Sequence, residues 1–227
     1  MSLSTSVSRF RNSIVSIIRP ALVLLSVFLV LGSAGVAYQG VRTLQRLTAV
    51  ETDRDQWQRP ADVIRPLNLK DGSVVADFGS GAGYFALKLS DAVGGRGEVI
   101  AIDLRRLSLL FLRVRAFIQG KHNIRIVVGD PDNPHLPAAT VDSVLIANTY
   151  HELTEAQSIL SQLSRALRHG GRLVVVDRSE AADEHHVSPE IVEGDLRNQG
   201  FEIISRDESF IGRPREDPWW LIVATKP

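Results

Sequence analysis

A glycine-rich turn with one distant acid, and a separate Tyr-His-Glu run, are the parts of this chain whose residue types and spacing suit chemistry. Asp77-Phe78-Gly79-Ser80-Gly81-Ala82-Gly83 sets three glycines at alternate positions, the first of them two residues after an acid. Glycine allows positive φ and close approach of a ligand to the backbone, and a helix that starts after such a turn presents unpaired N–H groups. A merely tight turn between strand and helix needs one glycine, not three. Read as Gly81-Ala82-Gly83-Tyr84-Phe85-Ala86, the same stretch satisfies the G-x-G-x-x-A dinucleotide fingerprint, so spacing alone leaves a nicotinamide cofactor open. Asp103 stands 20 residues beyond Gly83. An acid there fits an acceptor for ribose hydroxyls under either reading. Tyr150, His151 and Glu152 follow an apolar run and are the candidates for proton transfer at neutral pH. The same loop position equally suits a His or Glu that only fixes the loop. His185-His186 is a weaker feature: adjacent side chains diverge, and no further ligands stand at suitable spacing, so no metal site is expected. No H-E-x-x-H, Walker or G-x-S-x-G pattern occurs.

The elements that must position these residues alternate along the chain. SVVADF (73–78), EVIAIDL (98–104), NIRIVVGD (123–130), VDSVLIANT (141–149) and RLVVVD (172–177) read as strands. Between them lie helical runs at 84–93, 107–119 and from about 154 to 168, the last opened by a Thr154–Gln157 capping box. Gly94-Gly95, Gly120 and Gly170-Gly171 stand as helix stops. Ser188-Pro189 suits the start of a further helix and Gly200 its end. FEIISRDESF (201–210) and WWLIVATK (219–226) then read as a closing antiparallel hairpin, with Trp219-Trp220 as sheet packing. Strands of nearly continuous Val, Ile, Leu and Ala are those buried on both faces. The expectation is an α/β fold: a seven-stranded, mostly parallel sheet with right-handed crossovers. Tyr150–Glu152 then fall at the carboxyl edge of the sheet, where ligands bind. Helix 107–119 carries more apolar residues than one buried stripe requires, so part of its surface is expected to meet lipid, a partner or the N-terminal segment.

The 227 residues hold 26 basic and 26 acidic side chains and no cysteine. Zero cysteines excludes a disulfide framework, a thiolate nucleophile and Cys-ligated zinc. Neutrality argues against a nucleic-acid partner. The balance is uneven, because residues 1–50 carry five arginines and no acid. Pro20–Val41 is a run of 22 uncharged residues, and a helix of that length spans about 33 Å, enough for a bilayer core. The alternative is a cleaved signal peptide with its small-residue site at 32–34 or 35–37. The expected organisation is a basic tail (1–19), a transmembrane anchor (20–41), a connector with helical segments (42–72) and a catalytic domain (73–227). Arginines flank the span on both sides and do not set its orientation.

VVADFGSGAGYFALKLS resembles motif I of class I S-adenosylmethionine-dependent methyltransferases, an acid two residues before G-x-G-x-G, which nicotinamide-binding turns do not usually carry. GEVIAIDL (97–104) is similar to motif II, VVGDPDNPHLP (127–137) to the adenine-binding segment, and VDSVLIANTYHEL (141–153) to the fourth strand and its loop. The ending is similar to that of the quinone-biosynthesis-type methyltransferases, and the resemblance covers roughly residues 53–227. It implies a Rossmann-like fold and S-adenosylmethionine as cofactor. Gly79, Gly81 and Gly83 would approach its methionine part, with Asp77 near the ammonium group. Asp103 would accept from the ribose hydroxyls and Asp130 from the adenine amine, with Leu104 and Pro131 against the ring. Asn148 would line the floor near the methionine moiety. The implied activity is methyl transfer to a small or lipophilic acceptor, with His151, Tyr150 or Glu152 as base where the acceptor must lose a proton. Because the donor is cytosolic, the domain is expected on the cytosolic side of an uncleaved span. A nicotinamide-dependent oxidoreductase and a non-catalytic cofactor-binding membrane protein are the competing functions.

Overall fold

The computed structural model describes residues 38–43, 46, 49–178, 187–211 and 218–227. The chain divides into two compact units, Met1–Thr52 and Asp53–Pro227. In the first, residues 38–43 are helical, and Arg42 donates to the Tyr38 hydroxyl at 2.9 Å. Most of the expected span, residues 20–37, lies outside the described residues, as does His185-His186. Among the described residues no helix is long and apolar enough to cross a membrane.

The second unit is built on seven strands: β1 Val74–Phe78, β2 Glu98–Asp103, β3 Ile124–Val128, β4 Val141–Ala147, β5 Leu167–Arg178, β6 Glu202–Ile211 and β7 Trp219–Thr225. Besides helical residues 53–58, the described helices of this unit are α1 Pro60–Ile64, α2 Tyr84–Ala92, α3 Arg106–Ile118, α4 Ala156–Ala166 and α5 Pro189–Asn198. The strand order is β3-β2-β1-β4-β5-β7-β6. The first five strands pair in parallel, and β7 inserts antiparallel between β5 and β6. This is the Rossmann-like, mostly parallel sheet expected, and its order reverses between β1 and β4, where a crevice opens at the carboxyl ends of the strands.

Alternate residues of each strand feed opposite faces. Val75 joins a core with Leu89 of α2 and Leu109 and Leu112 of α3, while its neighbour Ala76 joins one with Ile159, Leu160 and Leu163 of α4. Residues 53–67, assigned to a connector by their polarity, pack on the first face. Val63 and Leu67 are buried, the rings of Trp57 and Trp219 are 5.6 Å apart, and Tyr84 donates to Asp55 at 2.7 Å.

Two boundaries of one helix differ from expectation, and strand pairing accounts for the second. The Thr154 capping box does not form: Glu155 is the N-cap, with no side-chain hydrogen bond, and α4 begins at Ala156. At its other end α4 stops at Ala166, because Leu167 is fully buried and pairs with Val141. Gly170-Gly171 therefore lies inside β5, in the stretch where the β4–β5 register shifts, and does not stop a helix. The Ser188 N-cap does form, accepting from Ile191 N. Trp220 is fully buried and donates to Val187 O at 3.0 Å, a packing role.

Candidate active site

The site grows from the end of β1. Gly79 N and Ser80 N both donate to Ile102 O, at 2.8 and 3.0 Å, which ties the turn to the end of β2. Gly79 has φ 79°, and a Cβ there would overlap the Thr149 side chain after β4; Gly83, the N-cap of α2 at φ 91°, would collide with Leu112 of α3. Both glycines are therefore needed for packing as well as for φ. Gly81 is different, since nothing lies within 4 Å of its Cβ position. There the turn leaves open space.

Asp103 closes β2, and its side chain is only 4% exposed. Its Oδ2 accepts from Gly81 N and its Oδ1 from Arg105 N, both at 2.8 Å. Arg105 Nε, on an exposed side chain, also lies 3.4 Å from Oδ1, so of about four acceptor positions on an ionised carboxylate one is open to a ribose hydroxyl and a second opens when that guanidinium swings out. Asp77 is buried, and its Oδ2 has no hydrogen-bond partner; neither has the buried Ser80 Oγ in the same turn. Such orphan atoms are rare in native proteins, and together they fit a polar, cationic group such as an amino acid's ammonium.

Burial pushes the Asp77 carboxyl up to about 7, and the charge of Asp103 adds to this, against the Ala86 N–H and Arg54. The folded state thus holds the proton more tightly than the unfolded chain, so stability falls as pH rises from about 4 through 7. In urea unfolding, Asp77→Asn should gain on the parent by about 2–3 kcal/mol between pH 5 and pH 8. A difference that does not change with pH would mean that Asp77 is ionised in the fold.

A cleft opens at this edge, walled by Phe78, Gly79, Ile102 to Arg105, Gly129 to Pro131, Thr149 and Glu152 to Thr154. Leu104, Asp130 and Pro131 thus stand together, as the resemblance implies. Asp130 is fixed by a bridge to Asn133 and by a 2.7 Å contact between its Oδ2 and His135 Nε2, leaving Oδ1 for an amine. Asn148 is not on the cleft wall. It sits at φ 53° with its N–H on Val176 O, and its neighbour Thr149 takes the wall position.

Tyr150, His151 and Glu152 form a 3-10 turn and diverge. Tyr150 is buried and donates to Asp195 of α5 at 2.7 Å; burial, then this carboxylate, holds the phenol protonated far above its usual range. Its proton is committed to Asp195, so it braces α5. Tyr150→Phe should cost about 1–3 kcal/mol of stability by leaving Asp195 short of a donor, with turnover per folded molecule unchanged. A fall in turnover without loss of stability would return Tyr150 to the reaction.

His151 Nδ1 lies 2.8 Å from Oδ1 of the fully buried Asp177, and His151 N donates to Oδ2 of the same carboxylate at 3.3 Å. Asp177 also accepts from Arg178 N at 2.9 Å. An ionised carboxylate only accepts, so Nδ1 carries the proton and Nε2 of the neutral ring has the free lone pair. The hydrogen bond to Asp177 raises the His151 pKa, helped by the charges of Asp177 and Glu152 and opposed by burial and Arg178. Nε2 is 3.9 Å from Glu152 Oε1, and Glu152 is on the cleft wall. His151 itself is not on the cleft wall and its side chain is 5% exposed, so this basic imidazole, held in one tautomer, can take a proton only from an acceptor that reaches past Glu152. Asp177, Thr149 and Ser80 were not singled out from sequence. The one available signal for Asp177 was an acid ending an otherwise apolar strand next to β4.

A model of the ubiE/COQ5 methyltransferase family matches residues 47–188. The ubiquinone/menaquinone biosynthesis C-methyltransferase of Marinomonas sp. is 30% identical over 129 residues, which are 56% of this chain and 51% of that protein. Aklanonic acid methyltransferase of a Streptomyces sp. is 30% identical over 135 residues, 60% of each chain. Matches of this kind span about half of the curated relatives' length. Among solved structures, a SAM-dependent methyltransferase from Aquifex aeolicus superposes with a TM-score of 0.67 at 27% identity, over 74% of this chain and 89% of that one. With a cofactor-type cleft at the sheet's switch point and a family match over more than half of its length, the chain belongs to the ubiE/COQ5 methyltransferase family.

Proposed function

We propose that this chain transfers a methyl group from S-adenosylmethionine to a lipophilic, quinone-like acceptor. The observation that carries this reading is Asp103: a buried carboxylate at the end of β2, locked by Gly81 N and Arg105 N onto the wall of the cleft. The cofactor, when bound, supplies a methyl group already activated on a sulfonium sulfur. The chain then has to bind, align and exclude water. Asp103 would take the ribose hydroxyls, Leu104 and Pro131 the faces of the adenine, and Asp130 its amine. Gly81 leaves room for the methionine part, and Asp77 with Ser80 offers two unpaired polar atoms to its charged end. His151, oriented by Asp177, would accept the proton of a phenolic or enolic acceptor at Nε2. The family match does not favour the nicotinamide-dependent alternative. Incubation of the chain with labelled S-adenosylmethionine and a panel of quinol, phenol and lipid acceptors tests the reading. Label should appear in a quinol; label in none of them, from a chain that binds the donor, would leave a cofactor-binding protein.

For residues 20–41 we keep the reading of an uncleaved membrane anchor, with residues 51–227 on the cytosolic side. It rests on the length of the uncharged run and on the cytosolic supply of the donor. N-terminal sequencing of the mature protein and protease access in sealed spheroplasts decide it. A mature chain beginning near Gly35 or Tyr38, or a domain digested from outside, would overturn it.

A further inference from the structure

Helix α3 carries two apolar faces. Leu109, Leu112 and Ala116 are buried against the sheet, as one stripe of a packed helix should be. Leu107, Leu110, Val114, Phe117 and Ile118 form a second stripe at helical spacing, and Phe117 is 81% exposed. Leu104, just before the helix, is also exposed and belongs to the cleft wall, so the stripe runs on to the mouth of the cleft.

The charge around this stripe is one-sided. From Leu104 to Gly129 the sequence has six Arg and Lys residues and no Asp or Glu, in a chain whose formal net charge is zero. Lys121 is paired with Asp91 and Arg125 with Glu98. Arg106 and Arg113 are exposed and have no ion-pair partner among the described residues. At 100° per residue they fall within about 20° of each other, along one edge of the stripe. Arg105 and Arg106 also stand at the N-terminal end of α3, whose first turn has no acid. That arrangement opposes the helix dipole and favours an anion nearby.

We infer that this face of α3 docks on an anionic phospholipid bilayer. The apolar stripe enters the boundary between headgroups and acyl chains, and Arg106 and Arg113 meet lipid phosphates. The charge selects this occupant over a second copy of the chain. A two-fold contact would set the same uncompensated arginines against each other, whereas a lipid surface supplies a dense array of negative charge. Docking would bring the cleft mouth to the source of a lipophilic acceptor. That corollary rests on the methyl-transfer reading; docking itself does not.

The absence of native cysteine allows a clean test in the full chain. Phe117→Cys and, as control, the exposed Glu202→Cys are labelled singly with bimane and reconstituted with vesicles that carry nitroxide-labelled lipid. In phosphatidylglycerol vesicles the label at 117 should be quenched and that at 202 should not. Adding Arg106→Glu and Arg113→Glu, or changing to phosphatidylcholine, should lower the ratio of docked to undocked label at least ten-fold, since each basic residue near such a surface contributes about five-fold. No quenching at 117 in anionic vesicles overturns the proposal, even if residues 20–41 keep the chain in the membrane. Equal quenching in phosphatidylcholine overturns it too. So does a label at 117 already shielded before lipid is added, which would mean cover by another segment or a second copy. Methyl-transfer assays on the same samples report separately, so failure of one reading is not failure of the other.

Discussion

His151→Ala is expected to lower turnover by about 10²–10⁴-fold, the usual loss on removing a general base, with little change in affinity for S-adenosylmethionine. The expectation follows from the 2.8 Å contact between Nδ1 and the buried Asp177, which leaves Nε2 as the proton acceptor. Asp177 acts through the imidazole, so it is a positioning residue and its own test is a pH profile. The active form of His151 is neutral, and Asp177 raises its pKa, so the rate should climb as pH passes through that raised value. In Asp177→Asn the acid limb of kcat/KM should move to lower pH while the maximum rate falls. The sign for stability is opposite. The pair stabilises the fold fully below the usual imidazole pKa, and the contribution is lost as pH rises through the raised one. A His151→Ala protein that unfolds more easily but turns over normally per folded molecule would make the pair a brace for the loop after β4. An unshifted acid limb in Asp177→Asn would contradict the positioning role.

The second large effect is expected at Asp103. Asp103→Ala removes the acceptor for two ribose hydroxyls, at a cost of about 1–3 kcal/mol, or roughly five- to hundred-fold in cofactor affinity. It also frees Gly81 N and Arg105 N, which now donate to this carboxylate, so the glycine-rich turn loses one tie to β2 and keeps those of Gly79 N and Ser80 N to Ile102 O. Asp103→Asn keeps one carbonyl oxygen as acceptor and should fall between the parent and the alanine variant. Calorimetry on folded protein measures both. Unchanged affinity in Asp103→Ala would remove this residue from the site.

Local sequence carried the sheet and the cofactor half of the site for a definite reason. Strands buried on both faces show as unbroken apolar runs, and the Asp77–Gly83 turn lies in one contiguous stretch whose Gly79 and Gly83 are required by packing on Thr149 and Leu112. Features decided by distant partners were not legible. The end of α4 depends on strand pairing, since Leu167 extends β5 beside Val141 in place of continuing the helix. Residues 53–67 look polar in sequence, yet Val63 and Leu67 are placed in the core by residues far along the chain. The catalytic edge mixes both cases. Tyr150, His151 and Glu152 are consecutive, so sequence could not say which faces the cleft. The 3-10 turn fans them to Asp195, to Asp177 and to the cleft wall in turn. Asp177 is 26 residues from His151, and only the parallel pairing of β4 with β5 brings the two together.

The central claim is that the cleft between Asp103 and Thr149 is built for S-adenosylmethionine, and equilibrium binding to the full chain tests it most directly. Titration with S-adenosylmethionine, NADH and NADPH in parallel should give saturable binding of the first at one molecule per chain, weakened in Asp103→Ala, and no binding of either nicotinamide at the same concentrations. Saturable binding of NADH or NADPH, or no binding of S-adenosylmethionine by folded protein, would contradict it.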